Sequence, residues 1–262
     1  MVKYGICELS LVAVRKQPSF QSEMVNQLIF GELIIIIEVL DNWFLINTPH
    51  DGYEGWVNIR HITLIEKHNF EELINAKPVY FSDIYGKAIP QSGNSTNLVL
   101  GSLLPNYNNN SITINEKIYS IEGNIQNGFL KPTGQNVIDI AKKYFGAPYL
   151  WGGRSPFGID CSGFTQIVFG MLGIKLMRDS HLQVESGETI NFVNEAKAGD
   201  IAFFDNEDEK IKHAGIIIDN KQIIHASGKV RIDTIDHQGI YDEKRKIYSH
   251  KLRIIKRIIA DQ

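Results

Sequence analysis

The residues of this chain best suited to chemistry are Cys161, His213 and His225: a thiol set at a helix start and two imidazoles carried by a hairpin. Behind Cys161, the apolar residues Phe164, Ile167, Val168, Met171 and Leu172 fall at i, i+3, i+4, i+7 and i+8. That spacing predicts one stripe of an amphipathic helix ending near Gly173. Asp160 stands immediately before the stripe as an N-cap, which places Cys161 among unpaired backbone N–H groups at the positive end of the helix dipole. A thiol in such a place, beside an imidazole, can have its pKa lowered from about 8.5 to roughly 3.5–7.5. The expectation is a nucleophile.

The histidines must then be brought to it. His213 opens the apolar run His213-Ala214-Gly215-Ile216-Ile217-Ile218, and His225 stands near the end of Gln222-Ile223-Ile224-His225-Ala226. Both runs are short and β-branched, and Asp219-Asn220-Lys221 between them predicts a β-hairpin. A three-residue loop pairs Ile218 with Gln222 and Gly215 with His225, which sets His213 and His225 diagonally on one face. A two-residue loop sends them to opposite faces. With the helix packed on the shared face, the order is thiol, imidazole, orienting group: His213 takes the proton and His225 fixes its tautomer. A zinc site built from Cys161, His213 and His225 is disfavoured, because the chain has no CxxC or HExxH spacing and only two cysteines. Cys7, in a strand-like run, reads as a small core hydrophobe. His50, His61, His68, His181, His237 and His250 have no placed partner and default to surface or loop.

The elements around these residues suggest several domains. At 262 residues with 43% hydrophobic and 22% charged side chains, the chain can bury more than one core. Residues 6–66 are short β-like runs punctuated by Gln17-Pro18-Ser19, Asp41-Asn42 and Asp51-Gly52, the spacing of a small barrel. Residues 67–130 read as further β-like runs broken by Pro78, Pro90, Pro105 and Asn108-Asn109-Asn110. From 131 to 262 the pattern turns to helices followed by strands, which implies an α+β domain. Its first helix carries Val137, Ile140, Ala141 and Tyr144 and stops at Gly146. A net charge of −3 argues against nucleic-acid binding, and the basic tail from Lys244 to Arg257 reads as a last strand and helix edge. No apolar run is long enough for a membrane span, and the first residues carry no apolar segment or cleavage site of a secretion signal. Two distant cysteines suggest no disulfide framework. The expected location is cytoplasmic.

Four separated blocks carry a family resemblance. Tyr149 to Phe164, Gly199-Asp200-Ile201-Ala202-Phe203-Phe204, Lys212-His213-Ala214-Gly215 and Ile224-His225-Ala226-Ser227-Gly228 resemble the NlpC-type cell-wall cysteine peptidases in order and approximate spacing. The resemblance covers roughly the last half of the chain. It implies a papain-like core, no cofactor, and hydrolysis of peptidoglycan stem peptides. By motif it makes Cys161 the nucleophile, His213 the base, His225 the orienting third residue, and Tyr149 the residue whose hydroxyl helps hold the oxyanion. Val14 to Ser19, Gln27 to Glu32 and Asp51 to Val57 resemble a bacterial SH3 domain. The expected organisation is therefore an SH3-like barrel over 1–66, a second, degenerate SH3-like β domain over 67–130, and the NlpC-type α+β papain-like domain over 131–262.

That pairing is similar to recycling peptidases that cut γ-D-glutamyl-L-diamino-acid bonds in murein-derived peptides with a free N-terminal L-alanine. A free ammonium in a closed pocket needs a carboxylate. The resemblance assigns that role first to Asp160, adds Ser162 and Ser180 as hydrogen-bonding groups, and brings Glu23 and Tyr53 from the SH3-like domain. Two other classes stay open at this point. A cysteine acyltransferase or amidase on the same core would use the same triad, and a non-catalytic cell-wall-binding protein would leave Cys161 unreactive. The sequence does not choose between lysine and diaminopimelate, and it is silent on oligomeric state.

Overall fold

The structure is a computed structural model that describes residues 3–205 and 210–260. The chain divides into two compact units, Met1–Phe129 and Leu130–Gln262.

The first unit opens with seven short strands, β1 (Lys3–Ile6), β2 (Leu11–Arg15), β3 (Met24–Ile29), β4 (Leu33–Leu40), β5 (Trp43–Asn47), β6 (Glu54–Asn58) and β7 (Thr63–Ile65). They form one antiparallel sheet in the order β3-β2-β6-β5-β4-β1-β7. Alternation drives it: in β2, Val12 and Val14 are buried while Leu11, Ala13 and Arg15 are half-buried. Val12, Val14, Leu28, Ile34, Ile46 and Val57 close an aliphatic core around Cys7. Each such side chain contributes about 1.5–3 kcal/mol on burial.

A helix, α1 (Lys67–Asn75), comes next, where the sequence predicts only β-like runs. Its apolar stripe is thin. Phe70 is its one buried residue, with its ring 4.4 Å from that of Tyr4, so the helical period is too weakly written to read. Six further strands follow: β8 (Val79–Phe81), β9 (Tyr85–Pro90), β10 (Thr96–Val99), β11 (Ser111–Ile114), β12 (Lys117–Glu122) and β13 (Ile125–Asn127). Four make a sheet ordered β10-β9-β12-β11, and β8 pairs with β13. Phe81, Leu98, Ile112 and Ile121 share one core with Ile6, Phe30 and Ile65 of the first sheet.

The second unit begins with α2 (Gly134–Lys143), capped by Thr133, whose hydroxyl accepts from the Asn136 N–H at 3.2 Å. Val137, Ile138, Ile140 and Ala141 are its buried face. A small hairpin, β14 (Arg154–Ser155) and β15 (Gly158–Ile159), leads into α3 (Cys161–Gly170), and a single turn, α4 (Ser180–Gln183), follows. The remaining strands are β16 (Glu188–Ile190), β17 (Ile201–Asp205), β18 (Ile211–Asp219), β19 (Gln222–Ser227), β20 (Lys229–Ile235), β21 (Gly239–Asp242) and β22 (Ile247–Arg257). Their order is β16-β22-β17-β18-β19-β20-β21, and β22 also pairs with β21. The long last strand therefore closes the sheet on itself. The tail is a turn followed by the last strand, with no helix from Lys244 to Arg257: Lys244 and Arg245 form the turn, and their N–H groups are taken by Asp242 Oδ1 at 3.0 Å.

The helix of Cys161 departs from its predicted character. Every residue from Cys161 to Phe169 is buried, because α3 packs against α2, α4, β14, β18 and β19 at once. Two of its polar side chains bond inside: Thr165 Oγ1 donates to Gln183 Oε1 at 2.6 Å, and Gln166 Nε2 donates to the Leu176 carbonyl at 3.1 Å. The sequence shows an apolar stripe; the fold also uses the other faces.

Candidate active site

Cys161 is the first residue of α3 and is 6% exposed. Asp160 caps the helix, its Oδ1 accepting from the Gly163 N–H at 2.7 Å, and its other oxygen accepts from the Gly152 N–H at 2.8 Å. One carboxylate thus ties the loop before the helix to the helix's first turn. Gly163 makes this possible: a Cβ there would collide with the Gly153 carbonyl and crowd the Asp160 carboxylate. The thiol itself points at the Lys212 carbonyl, 3.9 Å away, next to His213.

The hairpin brings the histidines together by a route the sequence reading did not include. The turn has two residues, Asn220 and Lys221, with Asp219 opposite Gln222. On its own that register separates His213 from His225. A bulge between Ile217 and Asp219 absorbs one residue and restores Ile217 opposite Ile223 and Gly215 opposite His225. Gly215 is required here, since a Cβ would meet the Ile223 and His225 side chains. His213 Nε2 and His225 Nδ1 then lie 2.8 Å apart, both rings buried. His225 Nε2 continues to Asp233 Oδ2 at 2.9 Å, and Arg231 reaches the same oxygen at 2.9 Å and Asp242 at 3.4 Å.

His250, expected at the surface or in a loop, belongs to this site. Its ring stacks on that of His213 with centroids 4.1 Å apart and planes 25° from parallel. Strand β22 pairs with β17, which pairs with β18, so the strand order brings His250 across to His213. Ring nitrogens of His213, His225 and His250 come within 4.8 Å of one another, and among the described residues these three could hold a metal ion. His213 Nε2 and His225 Nδ1 are already engaged with each other, and an ion taking both would break that contact.

Burial sets the electrostatics. It pushes the Cys161 thiol up to about 11, with the charge of Asp160 adding and the nearby N–H groups of Ala214 and Ser162 opposing. The expected depression of this thiol is therefore absent, because desolvation outweighs the helix start. Desolvation likewise holds His213 well below the ordinary histidine value, and the neighbouring histidines and Arg231 add to the effect. His225 is lowered by burial against the pull of Asp233, and His250 falls to about 4 for the same primary reason. Burial thus favours the neutral form of the Cys161 thiol and of all three imidazoles.

The other predicted residues fall into two groups. Tyr149 stands on the loop ahead of α3, its N–H bound to the Gly228 carbonyl at 2.9 Å. Burial and the nearby Cys161 and Asp160 raise its phenol to about 12, so it keeps its proton and remains a donor. Asp160 is not an open carboxylate: besides the two backbone N–H groups, it takes both ends of the buried Arg178 guanidinium, at 3.0 and 2.6 Å. Ser162 Oγ accepts from the same guanidinium at 2.9 Å, and Ser180 is buried at the start of α4. Glu23 and Tyr53 are in the first unit. There Glu23 pairs with Lys16 at 3.4 Å, and the Tyr53 hydroxyl reaches the Val25 carbonyl at 3.5 Å.

Four residues that the sequence reading did not assign complete the site: Arg178, Gln183, Asp233 and His250. Gln183 Nε2 binds the Ser162 and Met177 carbonyls at 2.9 and 2.7 Å, fastening α4 to the first turn of α3. Asp233 had a signal. With Gly228 as the turn, Ser227 faces Lys229 and His225 faces Arg231, which puts Asp233, two residues on, on the same face as His225.

Residues 146–250 match the NlpC/P60 family model, and residues 14–62 match that of the bacterial dipeptidyl-peptidase Sh3 domain. The second unit carries an NlpC/P60 domain. Over 248 residues the chain is 26% identical to dipeptidyl-peptidase 6 of Lysinibacillus sphaericus, spanning 85% of this chain and 88% of that protein. It is 27% identical over 214 residues to the gamma-D-glutamyl-L-lysine dipeptidyl-peptidase of Bacillus subtilis strain 168, spanning 77% and 71%. The crystal structure of an NlpC/P60 family protein from Bacillus cereus superposes with a TM-score of 0.83 at 18% identity, covering 98% of this chain and all of that one. At that identity the likeness shows the fold: an SH3-like β region ahead of a papain-like NlpC/P60 domain. The NlpC/P60 match of the second unit and the dipeptidyl-peptidase relatives support a peptidase, and among the described residues no helix is long and apolar enough to cross a membrane.

Proposed function

We propose that this protein is a cysteine peptidase that hydrolyses the γ-D-glutamyl bond to the L-diamino acid in murein stem peptides, through an acyl-enzyme. The observation that carries the reading is a polar line of His213, His225 and Asp233, joined at 2.8 and 2.9 Å and beginning on the strand whose Lys212 carbonyl lies 3.9 Å from the Cys161 sulfur. A structural cysteine has no use for such a line.

The chemistry follows from the neutral resting state. As the Cys161 sulfur attacks the carbonyl carbon, its proton passes to His213, which acts as general base during bond formation. The oxyanion is met by the Cys161 N–H at the start of α3 and by the Tyr149 hydroxyl; one such donor is worth about 3 kcal/mol in the barrier. His213 then returns the proton to the leaving amine as the carbon–nitrogen bond breaks. Water attacks the thioester, His213 takes its proton, and the thiol is restored as the acid product leaves.

The bond and substrate rest on the relatives named for gamma-D-glutamyl-L-lysine. On this reading the stem peptide carries a free N-terminal L-Ala, whose ammonium approaches Asp160, Ser162 and Ser180. Asp160 already takes four strong donors, so the ammonium shares that carboxylate with Arg178. Incubation with L-Ala-γ-D-Glu-L-Lys, its diaminopimelate counterpart and their N-acetylated forms, with products identified by mass, tests the proposal. L-Ala-D-Glu and the free diamino acid from the unacetylated peptides are the expected products. Cleavage at another bond, or faster cleavage of the acetylated peptides, would overturn it.

A further inference from the structure

We propose that Asp233, held by Arg231, is a positioning residue that selects the one tautomer of the His213–His225 pair able to accept the Cys161 proton. The proposal rests on the cysteine-peptidase reading and extends it to a residue two hydrogen bonds from the sulfur.

The argument is one of proton counting. Two neutral imidazoles that share a hydrogen bond hold two protons over four nitrogens, and the shared contact takes one of them. Two arrangements remain. In the first, His225 carries its proton on Nε2 and accepts at Nδ1; His213 then donates from Nε2 and leaves Nδ1 bare. In the second, His225 donates from Nδ1 into His213 Nε2, so the His213 proton must sit on Nδ1. Only the first leaves His213 a lone pair for a thiol proton. In the second His213 presents a donor, and the base is disabled with every heavy atom in place.

Asp233 decides between them. A carboxylate accepts and does not donate, so Oδ2 at 2.9 Å from His225 Nε2 requires the proton to be on that nitrogen. The second arrangement would face a lone pair with a carboxylate inside a site where His225 is fully buried, which is costly. The carboxylate is itself fixed. Arg231, directly opposite His225 in the β19–β20 register, binds the same oxygen at 2.9 Å and is backed by Asp242 at 3.4 Å. With the guanidinium on it, Asp233 acts as an oriented acceptor, and its charge is not left whole for His225.

The first test needs no variant. Nitrogen-15 shifts of the histidines in the full-length protein near pH 7 report which ring nitrogen is protonated. The expected result is His225 protonated on Nε2 and His213 on Nε2. Finding His225 protonated on Nδ1 overturns the proposal. The second test compares Asp233→Leu, which removes the acceptor, with Asp233→Asn, which can keep an acceptor oxygen while losing the charge. Iodoacetamide alkylation of Cys161 at neutral pH is the readout, so no murein substrate is involved and failure of the substrate assignment does not affect it. Asp233→Leu is expected to slow alkylation at least about tenfold, as a wrong tautomer would, and to shift the histidine nitrogen signals. Asp233→Asn is expected to stay within about threefold. Equal, large losses in both variants with the histidine nitrogen signals unshifted would assign the effect to the charge, and unchanged alkylation in Asp233→Leu would remove Asp233 from the chemistry. Either outcome rejects the proposal.

Discussion

Cys7 and Cys161 are both free and both buried, and burial pushes the thiol of each upward. Cys7 sits among Val12, Leu28 and Ile34 in the aliphatic core of the first unit, and its sulfur meets the Leu9 carbonyl at 3.2 Å. No cause acting on it supplies a base. Glu32 and Glu8 add repulsion, so a thiolate there is opposed from every side but the Leu9 hydrogen bond. Cys161 starts a helix, feels the N–H groups of Ser162 and Ala214, and adjoins the strand that carries His213. Reactivity in this chain is therefore not a matter of a resting thiolate. It comes from an imidazole with a free lone pair, and from donors ready for the charge that forms as the proton moves.

The largest expected effects break that contrast outright. Cys161→Ala and His213→Ala should each abolish turnover of a stem peptide, whereas Cys7→Ala should keep full activity and cost stability on the order of 1 kcal/mol. Turnover by Cys161→Ala at the wild-type rate would end the cysteine-peptidase reading. His225→Ala should leave measurable activity, because it orients the base and does not take the proton. Next comes labelling: iodoacetamide should modify Cys161 in the native protein and reach Cys7 only after unfolding, with peptide mapping as the readout. Native labelling of Cys7 would show that its core opens. Tyr149→Phe should then lower kcat by about a hundredfold with little change in KM, the loss of one oxyanion donor.

The smallest effect concerns pH. The unfolded chain takes up protons on its histidines below about pH 6.5. In the folded protein burial lowers His213, His225 and His250, the last to about 4. The unfolded state therefore binds more protons, and this part of the stability is whole above about pH 6.5 and is lost as the pH falls. Each histidine contributes at most about 1.4 kcal/mol per pH unit to the slope. His250→Gln should flatten the stability curve between pH 6.5 and 4 by no more than that, measured by denaturant melts. An unchanged slope would mean that His250 titrates alike in the native and unfolded states.

Much of this site is written in local sequence. Asp160, Cys161 and the apolar spacing behind them announce a capped helix, and the two short β-branched runs announce the hairpin that carries His213 and His225. What could not be read depends on strand order. His250 reaches His213 because β22 and β18 both pair with β17, and nothing near residue 250 hints at a neighbour 37 positions away (250 minus 213). The bulge at Ile218 reverses the parity of a two-residue turn, and three consecutive isoleucines give no sign of where the extra residue goes. The thiol was misjudged for a related reason. Helix-start stabilisation can be seen in sequence, but the all-round burial of α3 that overrides it cannot.

The central claim, that Cys161 attacks the substrate with its proton passing to His213, is tested most directly by acid-quenching the protein during turnover of L-Ala-γ-D-Glu-L-Lys. The digest is then mapped for a thioester. The account predicts an adduct with the mass of L-Ala-D-Glu less water on the peptide containing Cys161, and none in His213→Ala. Full turnover with the adduct absent from Cys161, or an adduct formed as fast without His213, would contradict it.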